Sequence, residues 1–223
     1  MKADFFPSGV SVITAEPWMW GTPVHPLEEQ LLSPAAALKR KGEFRAGRHC
    51  AQQALQQLGI EPFPVLRGER GEPLWPEGVC GSISHAGERC IAVVARKTDY
   101  LSIAVDIEKD RAIKDDTLAR ISRLSERVQL EQAPAEWQSA NLRAILFSAK
   151  ECVHKIYYPL NRYTLDFQDV SLVFRWRERC FDVHIDKPER PLPAPIERLS
   201  GCFGYTAGYV YTRIVLRPDS SCA

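Results

Sequence analysis

An apolar run over residues 101–107 ends in two carboxylates, at Asp106 and Glu108. A short run of this kind predicts a buried strand, in which residues two apart point to the same side of the sheet. Acidic pairs at strand ends are also common as solvated edges or helix caps, so this pair alone is a weak signal. Together with the helix described next, the strand forms the framework around which the rest of the chain must be arranged.

Residues 136–158 carry apolar side chains at helical spacing and are predicted to form a long amphipathic helix. Glu151 and Lys155 stand four residues apart in it, so one carboxylate and one ammonium share a face. The simplest interpretation is an exposed salt bridge, which contributes only about 0.3–0.5 kcal/mol. Taken with Asp106 and Glu108, however, three carboxylates and a lysine indicate a hard divalent cation that holds a phosphate.

Composition excludes several other classes of protein. The 223 residues include 29 basic and 28 acidic ones, for a net charge of +1, and 45% are hydrophobic. This balance supplies no global field for nucleic acid or an anionic membrane, so phosphate recognition is expected to be local. No apolar run approaches the ~20 residues that cross a bilayer, and the N-terminus shows no signal peptide.

The seven cysteines are odd in number and scattered, and they include no CxxC pair. This pattern argues against a disulfide framework and against a structural zinc site, and it favours a reducing compartment. We therefore expect a cytoplasmic protein with neither a nucleic acid nor a membrane as partner.

The predicted elements repeat one order, helices followed by strands. We therefore expect an α+β fold of two similar subdomains, residues 1–100 and 101–223, with the site in the cleft between them. The predicted elements are a helix at 33–59, strands at 90–96 and 101–107, helices at 115–130 and 136–158, and strands at 170–175, 180–185 and 202–216, with a possible break at Gly208 and a proline cluster at 188–195.

A Ser-His dipeptide at Ser84 and His85 invites a hydrolase interpretation. Adjacent residues of an extended chain point to opposite faces, however, so this serine could not readily use this histidine as its base. The sequence also lacks the Gly-x-Ser-x-Gly turn of such enzymes. His85 is therefore either a structural residue or a donor to a phosphate.

Four motifs stand in a fixed order between Lys39 and Tyr158, over half of the chain. They are Glu43-Phe44-Arg45-Ala46-Gly47-Arg48, Pro73 to His85, Ala104-Val105-Asp106-Ile107-Glu108 and Phe147-Ser148-Ala149-Lys150-Glu151-Cys152-Val153-His154-Lys155. In this order they resemble the motifs of the phosphopantetheinyl transferases, of the long single-chain type that includes the enterobactin synthase component D proteins.

The resemblance implies a pseudo-twofold fold of two α+β subdomains and a defined reaction. An enzyme of this family transfers 4'-phosphopantetheine from coenzyme A to a serine of an apo acyl or peptidyl carrier protein and releases 3',5'-ADP. The resemblance also implies that Asp106, Glu108 and Glu151 hold a Mg²⁺ ion, which prefers oxygen ligands such as carboxylates. Glu151, or a metal-bound water that it orients, would take the proton from the carrier serine, and Lys155 would hold the pyrophosphate.

The same resemblance assigns residues that bind coenzyme A, including its 3'-phosphate. Guanidinium, hydroxyl and imidazole groups all suit a dianion. A basic patch at 39–41 would suit the acidic surface of a typical carrier domain. That carrier domain would serve siderophore, polyketide or fatty-acid synthesis. The coenzyme A set is Arg40, Arg48, Arg70, Ser84, His85, Asp106, Lys150 and Lys155.

The chain departs from the family pattern at three positions. Ala104 replaces a glycine before the acidic pair, and Arg45 stands where relatives have leucine. Glu72 precedes Pro73, where relatives carry Lys or Arg close by, and Arg70 is the expected substitute. Two other interpretations stay open: a catalytically inactive module that binds coenzyme A or a carrier, and another Mg²⁺-dependent phosphoryl-transfer enzyme, which the neutral charge and the lack of a Gly-rich phosphate loop disfavour.

Overall fold

A computed structural model describes residues 5–137, 140–186 and 198–218. The chain forms two compact units, one ending at Val105 and the other beginning at Asp106. Each unit combines helices with antiparallel sheet, which confirms the expected two-subdomain α+β fold. The sequence had placed the boundary at residue 100, whereas the units divide inside the strand that carries the acidic pair. The predicted proline cluster at 188–195 falls outside the described residues.

The first unit packs one long helix against a three-stranded antiparallel sheet in the order β1-β5-β4. β5 is the central strand, and its residues Cys90 to Ala95 are all buried, as the continuous apolar run predicted. The elements are β1 (Val10–Thr14), α1 (Pro26–Glu29), α2 (Leu38–Gln57), β2 (Leu66–Arg67), β3 (Pro73–Leu74), β4 (Val79–Ala86) and β5 (Arg89–Arg96), with a 3₁₀ turn at Pro17–Trp20.

Helix α2 begins at Leu38 and not at the predicted Ser33-Pro34 pair. Ser33 instead closes a separate turn: its hydroxyl accepts the N–H of Ala35 at 3.3 Å and its carbonyl accepts that of Ala36 at 2.9 Å. The helix lies close to the sheet because Gly47 has no side chain there; a Cβ at this position would stand 3.0 Å from Ile83 Cγ2. Small residues therefore set how near the helix approaches β4.

The second unit packs helices against a five-stranded sheet in the order β6-β10-β9-β8-β7. The turn between β9 and β10 has positive φ at Ala207 (51°) and Gly208 (76°), which gives the break predicted at Gly208. The elements are β6 (Ser102–Lys109), α3 (Asp115–Ile121), α4 (Leu124–Glu131), α5 (Leu142–Asn161), β7 (Val170–Arg175), β8 (Cys180–Ile185), β9 (Ser200–Thr206) and β10 (Tyr209–Leu216), with 3₁₀ turns at Ala135–Trp137 and Phe167–Asp169.

The predicted helix at 115–130 is two helices, α3 and α4, separated by extended residues Ser122 and Arg123. Side chains form hydrogen bonds with backbone groups at this break. The Ser122 hydroxyl donates to the Leu118 carbonyl at 2.5 Å, and the Arg123 N–H donates to Glu126 Oε2 at 2.7 Å. Such local bonds compete with a continuous helix, which sequence periodicity does not register.

The break allows α4 to cover the outer edge of β7. Glu126 Oε1 accepts the N–H of Leu172 at 2.9 Å, and Gln129 Oε1 accepts that of Phe174 at 2.8 Å. The Gln129 amide also donates to the Leu172 carbonyl at 2.9 Å. The Glu126 and Gln129 side chains thus form the hydrogen bonds that a neighbouring strand would otherwise form. They occupy backbone groups of the β7 edge that would otherwise be open to pairing.

The predicted helix at 136–158 becomes a 3₁₀ turn and then α5, whose N-cap is Asn141; residues 138–139 are not described. The Asn141 side chain accepts the N–H of Ala144 at 3.2 Å. The helix passes Pro159 and ends at Asn161, before Arg162 in the left-handed conformation. In the described part of the chain, no helix combines the length and apolar character that a membrane span requires.

Candidate active site

The end of strand β6 and the middle of helix α5 meet at one buried carboxylate, that of Asp106, which is 3% exposed. Its Oδ2 accepts a hydrogen bond from the Ser148 hydroxyl at 2.7 Å. Its Oδ1 accepts one from the Lys155 ammonium at 2.6 Å. Because both oxygens are engaged by α5, the strand and the helix are held in one relative position at this point.

Thr212 of β10 supports the serine that holds Asp106. Ser148 and Thr212 are both fully buried. Their hydroxyl oxygens lie 2.8 Å apart, and Thr212 Oγ1 also donates to the Ser148 carbonyl at 2.9 Å. The Cys152 sulfur lies 3.1 Å from the same Thr212 oxygen. A three-element network therefore orients the carboxylate, and the sequence offered no signal for Thr212.

The two remaining predicted carboxylates belong to the same electrostatic cluster. Burial raises the pKa of Glu108 to about 7, and the negative charges of Asp106 and Glu151 add to this shift. Burial also raises the pKa of Glu151, with Asp106 adding to the shift and Lys155 opposing it. Three carboxylates therefore share a region in which their joint ionisation is unfavourable.

Lys155 is the cation of this cluster. Burial would lower the pKa of its ammonium, but the charge of Asp106 and, more weakly, that of Glu151 oppose this, and the pKa is raised overall. Lys155 is therefore held charged, and it provides Asp106 with a fixed positive partner. Asp106, Glu108, Glu151 and Lys155 thus lie close enough for their charges to shift one another's pKa values.

The donor set suits a hard divalent ion, because three carboxylates exceed the charge of one ammonium and oxygen ligands are those that Mg²⁺ prefers. Within residues 5–137, 140–186 and 198–218, however, no three His, Cys, Asp or Glu side chains are arranged to hold one metal ion. The cation that contacts Asp106 here is the Lys155 ammonium. Ligation by Asp106, Glu108 and Glu151 therefore stays a prediction.

The structure contradicts the prediction that Lys150 contacts coenzyme A. Lys150 is fully buried, and its ammonium forms a 2.9 Å ion pair with Glu126, which is fully buried too. The same nitrogen donates to the carbonyls of Phe167 at 2.8 Å and Val170 at 2.9 Å. All three ammonium donors are therefore used within the fold. One residue along a helix turns the side chain by about 100°, which separates Lys150 from its neighbour Glu151.

In the first unit, Arg48 carries a buried charge without a complete set of partners. Its side chain is 6% exposed and its guanidinium lies 4.6 Å from the Phe44 ring centroid. The nearest carboxylate is 4.0 Å away, at Glu28, and Nε has no hydrogen-bond partner among the described residues. Burial lowers the Arg48 pKa to about 10, and the positive charges of Arg67 and Arg40 add to the shift. Arg48, Arg67 and Arg40 therefore form a cationic cluster.

His85 lies beside Arg40, whose Nη1 is 2.9 Å from His85 Nε2. Since arginine can only donate, Nε2 must accept, and the neutral ring carries its proton on Nδ1, 3.7 Å from Glu43 Oε2. Ser84 is 6% exposed and alternates with His85 along β4, so the two side chains face opposite sides of the sheet. This geometry agrees with the expectation that Ser84 and His85 do not act together as nucleophile and base.

Arg67 and Arg70 are the two loop arginines that could take the place of the basic residue expected near Pro73, and both are exposed. The Arg70 backbone N–H donates to Glu72 Oε2 at 3.0 Å. The Arg67 guanidinium lies 5.7 Å from the Phe44 ring centroid, near Arg48. The register explains the difference: Arg67 pairs directly with Pro73 across the β2–β3 hairpin, although it is more distant in sequence.

The Lys150 assignment can be tested by replacing the lysine with an isosteric apolar residue. Lys150→Met leaves the Glu126 carboxylate buried without its cation, and we expect a loss of about 3–5 kcal/mol in the free energy of unfolding. The double variant Glu126→Gln/Lys150→Met removes both charges but keeps an acceptor for Leu172, so its loss should be clearly smaller. Urea unfolding measures both; weaker coenzyme A binding at unchanged stability would instead restore a ligand-binding role.

The raised pKa of Glu108 predicts a pH-dependent stability. Between the ordinary value of 4.5 and about 7, the folded protein holds a proton that the unfolded chain has released. The free energy of unfolding should therefore fall as the pH rises through this window. Glu108→Gln cannot ionise, so with a chelator present it should be about 1–2 kcal/mol more stable than wild type at pH 8, after allowance for solvent screening.

The matched control is Glu77→Gln, at an exposed position of the first unit. Its stability profile should follow that of the wild type, and the advantage of Glu108→Gln should vanish towards the acidic end of the window, where Glu108 is protonated in both states. Urea unfolding across the window measures this. Parallel profiles for wild type and Glu108→Gln would refute the burial of a charged Glu108.

Comparison with known proteins supports one family for both units. Residues 27–95 match the 4'-phosphopantetheinyl transferase N-terminal domain, and residues 102–199 match the 4'-phosphopantetheinyl transferase superfamily. The chain is 36% identical to 4'-phosphopantetheinyl transferase PptT of Mycobacterium tuberculosis, over 85% of each chain. It is 34% identical to Npt of Nocardia iowensis, over 82% of this chain and 80% of that one, and 35% identical to enterobactin synthase component D of Salmonella typhi, over 55% and 50%. The chain therefore belongs to the 4'-phosphopantetheinyl transferase family of enzymes.

Proposed function

We propose that this enzyme transfers 4'-phosphopantetheine from coenzyme A to a serine of an apo acyl or peptidyl carrier domain in the cytoplasm. The reaction releases 3',5'-ADP and uses Mg²⁺. The observation that carries the proposal is the Asp106 carboxylate, which Ser148 and Lys155 hold at 2.7 and 2.6 Å beside two carboxylates of raised pKa. Carboxylates whose pKa values are raised by burial and by one another mark a candidate site for a cation and a phosphate.

The carboxylate cluster suits the reacting end of coenzyme A. A Mg²⁺ ion bound by Asp106, Glu108 and Glu151 would neutralise charge that develops on the pyrophosphate. Lys155, whose ammonium donates to Asp106 at 2.6 Å, would supply positive charge to a pyrophosphate oxygen. Glu151 is suited to accept the proton of the carrier serine, because its raised pKa brings it closer to the pH at which a base works best.

The cationic cluster of the first unit suits the phosphate at the other end of coenzyme A. Arg48 is buried, its Nε has no hydrogen-bond partner in the described ranges, and Arg40 and Arg67 add positive charge beside it. Guanidiniums that repel one another in the free protein would be stabilised by a dianion such as the 3'-phosphate. His85, whose Nε2 faces Arg40, is suited to join them.

A carrier domain with an acidic surface is the proposed second substrate. In the predicted basic patch at 39–41, the Lys39 side chain is 76% exposed and lies 3.8 Å from Glu43. The Lys41 ammonium is already engaged by the Pro34 carbonyl at 2.9 Å. Lys39 is therefore the member of the patch best placed to meet an acidic partner, and such a surface charge raises the rate of association more than the affinity.

The decisive experiment incubates the protein with an apo-carrier protein, coenzyme A and Mg²⁺, followed by the intact mass of the carrier. We expect the mass to rise by one phosphopantetheinyl group with wild type. Asp106→Ala should abolish the transfer, and Glu151→Gln should reduce turnover by roughly 10²–10⁴-fold, because it removes the base and a metal ligand. Circular dichroism checks that both variants are folded.

Two outcomes would contradict this assignment. Full activity of Asp106→Ala would remove the metal role of the cluster. No transfer to any of several carriers, with coenzyme A still bound, would favour the catalytically inactive binding module.

The arginine cluster is tested by a matched pair of substitutions in one loop. Arg67→Ala should raise the KM for coenzyme A by about 10–100-fold, since it removes a charged hydrogen bond worth roughly 1.5–3 kcal/mol. Arg70→Ala, at an exposed position of the same loop, should leave KM unchanged. With 3'-dephospho-coenzyme A the effect of Arg67→Ala should be smaller. A larger loss from Arg70→Ala would reverse the assignment.

A further inference from the structure

A row of four side chains crosses the sheet of the second unit. Arg175 pairs with Cys180, Cys180 with Cys202, and Cys202 with Arg213, on four successive strands. Directly paired residues of antiparallel strands project to the same side of a sheet. Two thiols are therefore neighbours on one face, with a guanidinium on each side of them. Phe181 and Phe203, which follow the cysteines, are buried on the other face.

The backbone register places the two cysteines at a position that suits a cross-strand bridge. The N–H of Phe203 donates to the carbonyl of Arg179 at 2.9 Å, so residues 179 and 203 form a hydrogen-bonded pair. Cys180 and Cys202 are the next pair along and thus a non-hydrogen-bonded pair, in which the Cα atoms approach to about 4.5 Å. This separation lies within the range that a disulfide spans. The two sulfurs lie 3.0 Å apart.

Both thiols are free and partly exposed. The other four described cysteines are also free but are buried: Cys50, Cys80, Cys90 and Cys152. Burial raises the pKa of Cys180 to about 12, and contact with Cys202 adds to the shift, while Arg175 and Arg213 oppose it. Arg175 is partly neutralised by Glu178 at 2.8 Å and Asp182 at 3.2 Å. The two guanidiniums still favour the thiolate form of Cys180 against the effect of burial.

We propose that Cys180 and Cys202 are a modification site, which forms a reversible intramolecular disulfide by exchange with a low-molecular-weight disulfide. One cysteine thiolate attacks the external disulfide, forms a mixed disulfide and releases one external thiolate. The second cysteine thiolate attacks the protein sulfur of the mixed disulfide and releases the other. Two electrons pass to the external disulfide, and the two protons of the cysteines end on the two released thiols.

The bridge would close a loop whose ends are 22 residues apart in sequence. Closing such a loop restricts the unfolded chain, so the oxidised protein should unfold at a higher temperature. The bridge would leave the candidate site in place, because Thr212, adjacent to Arg213, points to the opposite face and meets Ser148 there. The proposal therefore stands independently of the transferase reaction.

The test uses the full chain with Cys222→Ser, which removes a cysteine outside the described residues. Excess oxidised glutathione is added to the folded protein, and the intact mass and a non-reducing peptide map are recorded. We expect the loss of two hydrogen atoms, one peptide pair that joins Cys180 to Cys202, and a thermal midpoint several degrees higher. Dithiothreitol should reverse all three changes.

Cys180→Ser and Cys202→Ser, each in the same background, are the matched controls. Each should retain one glutathionyl group on the remaining cysteine, with no bridge and no rise in the thermal midpoint. The proposal would be overturned if the parent protein kept a glutathionyl group without closing the bridge, stayed unmodified, or joined other cysteines. The readout does not involve transfer, so a negative result would leave the proposed function untouched.

Discussion

The structure depends on how a buried carboxylate is held. Asp106 is 3% exposed, and a charge at this depth is costly unless it is paired and hydrogen-bonded. Ser148 satisfies one oxygen and Lys155 the other, and both come from α5. The same two contacts that make the buried charge tolerable also fix the helix against β6 and place Glu151 near Glu108. Stability and the geometry of the candidate site therefore rest on one interaction.

Neighbouring residues of α5 serve opposite purposes. Lys150 faces the interior and joins Glu126 of α4 in a fully buried ion pair, while Glu151 belongs to the carboxylate cluster. Glu126 also accepts the N–H of Leu172, so one side chain connects α5, α4 and the edge of β7. A buried ion pair whose hydrogen bonds are all formed adds little net stability. It acts instead by favouring one packing arrangement of α5 and α4 over others. The candidate site residues Glu151 and Lys155 thus stand on a helix that the Lys150–Glu126 ion pair anchors.

The first unit shows the reverse situation, in which charge is left incompletely compensated. Arg48 is buried with an unpartnered Nε, and two further arginines raise the local positive potential. Such an arrangement lowers the stability of the free protein and is expected where a ligand supplies the missing charge. The two clusters therefore hold local charge of opposite sign in excess, positive around Arg48 and negative around Asp106.

Local patterns in the sequence determined much of the protein: the α+β class, the strands at 170–175 and 180–185, the break at Gly208, and Asp106 and Glu108 on one side of a strand. They also determined which family the motifs resemble. Tertiary structure decided what depends on partners distant in sequence. Lys150 is an anchor because Glu126 lies beside it, Arg67 pairs with Pro73 across a hairpin, and Cys180 meets Cys202 through strand register. The physical reason is that periodicity specifies which face a side chain occupies, whereas only the packed fold specifies what that face meets.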